Sequence, residues 1–288
     1  MQQQGGALNL SSPTVVQRLL DRYGLRPSRR LGQNFLVDQG VLGAIVSAVR
    51  PQNGEGFLEI GTGLGVLTVA LAQAGARVVT IEKDRGLLGP LSEILAGWPL
   101  VQLVSADALE LDWEELLGGT AAWRVVANLP YSVTSPLLLK LLAADFPELT
   151  LMVQREVGER LLAPPGDPRR GRITLRVEQA GEVEILRRLA PGSFWPRPQV
   201  ESVVLRFRRR PRELGVDLGK LWPVVQAAFG ERRKTLRRAL ADGLDLPVAA
   251  VEAALNRADL APERRGETLS LEEYARLTRE LVGHPKGE

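Results

Sequence analysis

The chain has 288 residues, 44% of them apolar and 25% charged, and carries a net charge of +3. This is a globular composition, long enough for one large domain and one small one, without Cys and with one His, His284, in a terminal tail beside Pro285 and Gly287. Disulfides, thiolate nucleophiles, His-based triads and the usual zinc ligand sets are thereby excluded.

The first residues, Met1-Gln2-Gln3-Gln4-Gly5-Gly6, lack a charged and apolar signal pattern, and no apolar run reaches membrane-spanning length, so a cytoplasmic protein without membrane or metal partners is expected. Residues 14–23 read as a short amphipathic helix. The following Leu31-Gly32-Gln33-Asn34-Phe35-Leu36 fits neither the helical nor the strand period. Asp38 can cap a helix running to about Val49, closed by Pro51 and Gly54. A short buried strand, 57–60, then runs straight into Gly61-Thr62-Gly63-Leu64-Gly65 and an apolar helix to Ala74.

From there strands and helices alternate. Strand candidates are 77–81, 101–105, 123–127 and 150–154, with helical stretches at 85–95, 113–117 and 135–143, which predicts an α/β fold with a mostly parallel sheet covered by helices on both faces. Helices at 157–162 and 173–179 flank the turn Pro164-Pro165-Gly166-Asp167-Pro168. Two last strands, 183–189 and 202–207, bring the count to seven. Beyond Pro211 only helical periods follow, at 217–229, 232–240, 247–256 and 271–281. The expected domains are therefore 1–210 and a small helical domain, 211–288.

Charge is unevenly divided. Residues 1–150 hold 11 Lys and Arg against 14 Asp and Glu, whereas residues 151–288 hold 26 against 20. Arg outnumbers Lys 32 to 5, a bias that coding preference or a hot habitat also produces, so the weight rests on clustering. The candidates for nucleic-acid contact are Arg206, Arg208 and Arg209 at the domain junction, then Arg232, Arg233, Lys234, Arg237 and Arg238 on a predicted helix. Arg233, Lys234, Arg237 and Arg238 would share one helical face. Like charges so spaced repel, and an anion lying across them would relieve this; a face paired with acids such as Glu231 is the plain alternative.

The glycine loop brings backbone close to a ligand at the carboxyl ends of the strands. A dinucleotide fingerprint requires a sixth-position Gly, but counting from Gly61 that residue is Val66, and Glu59 stands where a pyrophosphate would be unwelcome. A cationic ligand such as S-adenosylmethionine suits Glu59, Gly61 and Gly63 better. Glu82 is spaced to accept ribose hydroxyls, and Asp107, with Ala108 alongside, to accept from an adenine amino group. A solvated strand end and a helix cap are the alternatives.

Asn128-Leu129-Pro130-Tyr131 closes the fourth of these strands. Pro130 holds Leu129 extended, so the Asn128 side chain and the Leu129 carbonyl offer two acceptors to an exocyclic amino group while Tyr131 stacks on its ring. A strand ending in an ordinary turn is the alternative.

Together these motifs resemble the rRNA adenine N6-dimethyltransferase family, in particular its small-subunit branch. The likeness rests on 31–36, the loop 59–65, Glu82, Asp107, Asn128 to Tyr131, Phe194-Trp195-Pro196-Arg197-Pro198 with Val200 and Ser202, and 229–236, and so covers nearly the whole chain. It implies a Rossmann-like class I methyltransferase domain followed by an RNA-recognition domain. By the resemblance Gln33, Asn34, Leu36, Gly61, Glu82, Asp107 and Asn128 contact the methyl donor, and Asn128, Tyr131 and Phe194 hold the target adenine. The implied reaction is direct transfer from S-adenosylmethionine to N6 of two adjacent adenosines near the 3′ end of 16S rRNA, in the small subunit or its precursor, by a monomer. Acceptance of the amino hydrogens makes N6 more nucleophilic, and no general base is needed. The rivals are the large-subunit branch, a non-catalytic ribosome-assembly factor on the same scaffold, and an NAD enzyme, which Val66 and the lack of a proton-relay His disfavour.

Overall fold

In a computed structural model, the structure describes residues 9–28, 30–231 and 233–282, with Ser132 described by its backbone alone. The elements run α1 (Pro13–Arg22), β1 (Phe35–Leu36), α2 (Gln39–Val49), β2 (Gly56–Ile60), α3 (Val66–Gln73), β3 (Arg77–Glu82), α4 (Leu88–Leu95), β4 (Val101–Ser105), α5 (Trp113–Leu117), β5 (Trp123–Asn128), α6 (Thr134–Ala143) and β6 (Glu148–Gln154). They continue with α7 (Arg155–Leu161), α8 (Arg172–Ala180), β7 (Gly181–Leu189), β8 (Phe194–Trp195), β9 (Ser202–Arg209), α9 (Leu218–Ala228), α10 (Leu236–Leu244), α11 (Val248–Arg257) and α12 (Leu271–Val282).

Seven strands form one sheet in the order β4-β3-β2-β5-β6-β9-β7, with β2 to β6 parallel and β9 antiparallel to β6. The chain steps outward from β2 to β4, then returns to β5 on the other side of β2. Right-handed crossovers taken in opposite directions place helices on both faces. All seven sequence-predicted strands are in this sheet. The structure adds the two-residue pair β1–β8, with Phe35 opposite Trp195 and Leu36 opposite Phe194, too short to leave a period in the sequence.

Register aligns Phe57 with Val78, Glu59 with Thr80 and Val126, and Asn128 with Met152. These residues share one face. Its apolar members pack with Val41, Ile45 and Val49 of α2 and Leu67 and Leu71 of α3. Asp38 accepts from Val41 N at 3.0 Å and so caps α2 as expected.

The chain divides into two compact units, residues 1–158 with 184–209, and residues 159–183 with 210–288. Residues 159–183 thus group with the C-terminal helices, where the sequence reading kept them in the first domain. Leu175 of α8 is buried with Leu221, Leu240, Leu255 and Tyr274, a contact across tens of residues that local periodicity cannot announce. In the same unit Arg170 is almost wholly buried, paired with both Glu178 oxygens at 2.6 and 2.8 Å and donating to the carbonyls of Ala163 and Leu269. Replacing it by Met would orphan a carboxylate and two carbonyls. We expect Arg170→Met to destabilise this unit by about 3 kcal/mol, read as a lowered urea midpoint; an unshifted midpoint would refute this account.

The helix predicted over 232–240 begins later. Arg233 and Lys234 lie in a turn closed by Lys234 N on Glu231 O at 3.1 Å, Thr235 is extended, and α10 starts at Leu236. The four-cation face expected there is therefore not formed on one helix.

Candidate active site

β2 ends in the glycine loop. Gly61 and Gly63 both have positive φ, at 81° and 58°, and a Cβ on Gly63 would lie 3.2 Å from the Phe35 ring. A side chain is therefore disfavoured at these two positions, which leaves their backbone open to a ligand. Beneath it Glu59 is 1% exposed. Thr68 donates to its Oε2, as does Thr80 at 3.0 Å, and Thr80 is itself 2.6 Å from the Thr62 hydroxyl. The carboxylate expected to meet a cation is thus also the anchor of a buried hydroxyl network, and burial pushes its pKa up to about 8, against the pull of the two threonines.

Glu82 ends β3 and accepts from Gly63 N at 2.9 Å and Asp84 N at 2.8 Å. Burial raises its pKa despite these bonds. Asp107 lies just past β4. The Lys83 ammonium, 2.5 Å away, lowers its pKa, as does the bond from Leu109 N. The loop that carries it is tied down by Lys140 of α6, whose Nζ donates to the carbonyls of Ala108, Leu109 and Leu111.

At the end of β5, Asn128 donates its amide to the Asn34 carbonyl at 3.0 Å. A carbonyl only accepts, so the amide nitrogen faces Asn34 and the amide oxygen is left for an outside donor. Pro130 has φ −58° and ψ 128°, as an extended entry requires. The Tyr131 hydroxyl bonds Ser202 at 2.7 Å, which fixes the ring from its far end.

One cavity of about 280 Å³ gathers these groups, close to the lower end of small-molecule sites. Gln33, Asn34 and Leu36 line it from the segment before α2; Glu59, Gly61 and Gly63 from β2 and its loop. Glu82, Asp107 and Ala108 follow from the next two strand ends, and Asn128, Leu129, Pro130 and Tyr131 complete the wall. Phe194 does not join them. It is 3% exposed and packed with Leu36, Met152 and Val204, because its pairing with Leu36 turns it into the core. Residues that the sequence reading missed are Thr62, Thr68 and Thr80, Lys140 and Ser202. Two of them stand inside motifs, Ser202 in the one it shares with Phe194 and Thr62 in the glycine loop.

The basic residues divide. Arg209 donates to the carbonyls of Leu142, Ala144 and Phe146, and Arg206 to Ala48 O and Glu184, so both serve internal acceptors. Arg208 faces Glu148 and Glu184 from a half-exposed position. Lys234 bridges Glu231 and Asp242, and Arg237 meets Glu252. Arg232 lies outside the described residues. Arg233 and Arg238 are exposed and form no ion pair among the described residues.

The family model of the ribosomal RNA adenine dimethylases matches residues 24–282. The chain belongs to this family. Its relatives include the ribosomal RNA small subunit methyltransferase A of Pelotomaculum thermopropionicum, 39% identical over 282 residues, covering 93% of this chain and 96% of the relative. That of Anaeromyxobacter sp. strain K is 42% identical over 275 residues, covering 91% and 96%. Among solved structures, a dimethyladenosine transferase from Plasmodium falciparum is similar with TM-score 0.71 and 25% identity, over 83% of this chain and 94% of that one. The 23S rRNA methyltransferase ErmE follows with TM-score 0.66 and 28% identity, over 86% and 99%. The fold is thus that of a Rossmann-like methyltransferase.

Burial of Glu59 has a measurable consequence. Between the ordinary value of 4.5 and about 8, the folded chain holds a proton that the unfolded chain has released, so stability is full below the lower value and falls as pH rises towards the upper one. One such proton contributes a slope of about 1.4 kcal/mol per pH unit. Glu59→Gln should flatten this dependence in urea melts at several pH values, and equal slopes in both proteins would remove the proton from Glu59.

Proposed function

We propose that the protein methylates N6 of two adjacent adenosines near the 3′ end of 16S rRNA, in the small ribosomal subunit or its precursor, with S-adenosylmethionine as donor. The observation that carries this reading is the orientation of Asn128, whose amide oxygen is left for a donor at the rim where the glycine loop and two strand-end carboxylates, Glu82 and Asp107, meet. Preference for the small subunit is supported by relatives of that name near 40% identity over more than nine-tenths of the chain.

The donor set fits S-adenosylmethionine. Glu82 offers acceptors to ribose hydroxyls, Asp107 and Ala108 flank the position suited to an adenine, and the Cβ-free loop at Gly61 and Gly63 admits a close backbone approach. When bound, the donor supplies a methyl group activated on a sulfonium. Asn128 and the Leu129 carbonyl then accept the two amino hydrogens of the target adenine, which favours the positive charge that develops on N6 during transfer. Tyr131, braced by Ser202, stacks on the base. Phe194 contributes from behind, by pinning Leu36 through the β1–β8 pair.

Asn128→Ala should lower the transfer rate to labelled, undermethylated small subunits by about 3–4 kcal/mol in barrier, while donor affinity measured by calorimetry falls less. Near wild-type turnover would end this assignment, and label appearing only in the large subunit would redirect it to the other branch.

For the RNA footprint the candidates narrow to Arg233 and Arg238, the two cations of the set without an ion pair among the described residues. Arg233→Ala with Arg238→Ala should reduce the log–log salt slope of subunit binding by about 2, one for each phosphate no longer neutralised, without touching donor binding. An unchanged slope would move the RNA contact elsewhere.

A further inference from the structure

Gln33 was expected to touch the methyl donor, yet both polar atoms of its amide are bonded within the chain. Its Oε1 accepts from Ser28 N at 2.7 Å, and its Nε2 donates to Asp84 Oδ2 at 2.6 Å. Asp84 is held in turn: its Oδ1 accepts from Gly86 N at 3.0 Å, and its own N–H donates to Glu82 Oε1 at 2.8 Å. On the other side, the residue after Gln33 supplies the carbonyl that receives the Asn128 amide. A continuous chain of bonds therefore runs from Glu82 through Asp84 and Gln33 to Asn34 O and Asn128.

Between Ser28 and Asn34 the described residues form no helix or strand, so the Asn34 carbonyl is held by β1 on its C-terminal side and by turn contacts alone on the other. Their fixed points are Gln33 N on Ser28 O at 3.1 Å, Leu31 N on Ser28 Oγ at 3.3 Å, the Asn34 amide on Gly32 O at 3.0 Å, and the Gln33–Asp84 bond, which alone of these reaches across 51 residues, to the turn after β3. Local bonds can move with the segment as a body. The long-range one cannot. If Asn34 O drifts, Asn128 loses the partner that orients its amide, and the amide is free to rotate, which exchanges acceptor for donor where the amino group must be accepted.

We propose that Gln33 and Asp84 form a latch whose role is to orient Asn128, so that they are positioning residues for the acceptor of the base rather than contacts to the donor. This rests on the assignment of Asn128 as the acceptor for the adenine amino group.

The test uses the polarity of the latch. Gln33→Glu places a carboxylate against Asp84 and breaks it. Asp84→Asn keeps an oxygen for Gly86 but presents an amide NH₂ where Gln33 needs an acceptor. Together, Gln33→Glu with Asp84→Asn restores every bond with donor and acceptor exchanged: the new amide at position 84 donates to the new carboxylate at position 33, which still accepts from Ser28. Each single variant should lower kcat about tenfold to a hundredfold with donor Kd changed far less, the size expected of a misplaced acceptor. The double variant should recover most of that loss. Gln33→Ala, which removes the bonds without adding charge, serves if the charged single variant does not fold, and hydrogen exchange over 31–36 should show loss of protection in it and recovery in the double variant. Asn128→Ala is measured alongside. If it is inactive while Gln33→Ala turns over normally, or if the double variant is no better than the singles, the latch is overturned and the base-holding role stands. If Asn128→Ala itself is active, that role falls first.

Discussion

A sheet covered on both faces has nowhere to place a solvated charge except at the ends of its strands, and this constraint arranges the molecule. β2 is buried along its whole length, and the parallel strands beside it are nearly so. The polar groups within them, Glu59 and Thr80, are bonded to one another, while Glu82, Asn128 and the residues just past β4 emerge together at the carboxyl edge. Parallel direction then does the gathering: four successive strands end on the same side, so residues far apart in the chain become the wall of one cavity.

The arginines illustrate the opposite economy. A positive residue on an antiparallel strand such as β9 has carboxylates and open carbonyls within reach, and Arg206 and Arg209 take them. Arg124 does the same in the middle of the sheet, between Glu55 and Glu148. A count of basic residues therefore overstates the surface available to RNA, since a guanidinium that satisfies internal carbonyls cannot leave them without orphaning several acceptors.

What could be read in advance was local. Asn128 to Tyr131, Glu82, Asp107 and the glycine loop each announce themselves within a few residues, because a strand end, a turn and a helix start follow one another along the chain, and the seven strands were visible for the same reason. Phe194 looked like a base-stacking aromatic until its two-residue pairing with Leu36 turned it inward. Gln33 lines the cavity as its motif suggests, and only the partner 51 residues away reveals that its amide is also engaged within the chain. Residues 159–183 looked like part of the first domain because nothing in their period names Leu221 or Tyr274 as neighbours. In each case the missing information was the identity of a distant partner.

The division of the chain also bears on how it is made. The first unit is interrupted by residues 159–183, and β6, which pairs with β5 on one side, waits for β9 on the other. During synthesis β6 therefore emerges with an unpaired edge, and it stays open until residue 209 has left the ribosome, some fifty residues later. The helices of 159–183 meet the same delay from the other side, since their apolar partners begin at α9. Neither unit can complete itself before the other has been started, so the nascent protein passes through an interval in which two half-built cores coexist. A chain shortened to end before β9 would keep every cavity-lining residue and still lack the strand that closes the sheet around them.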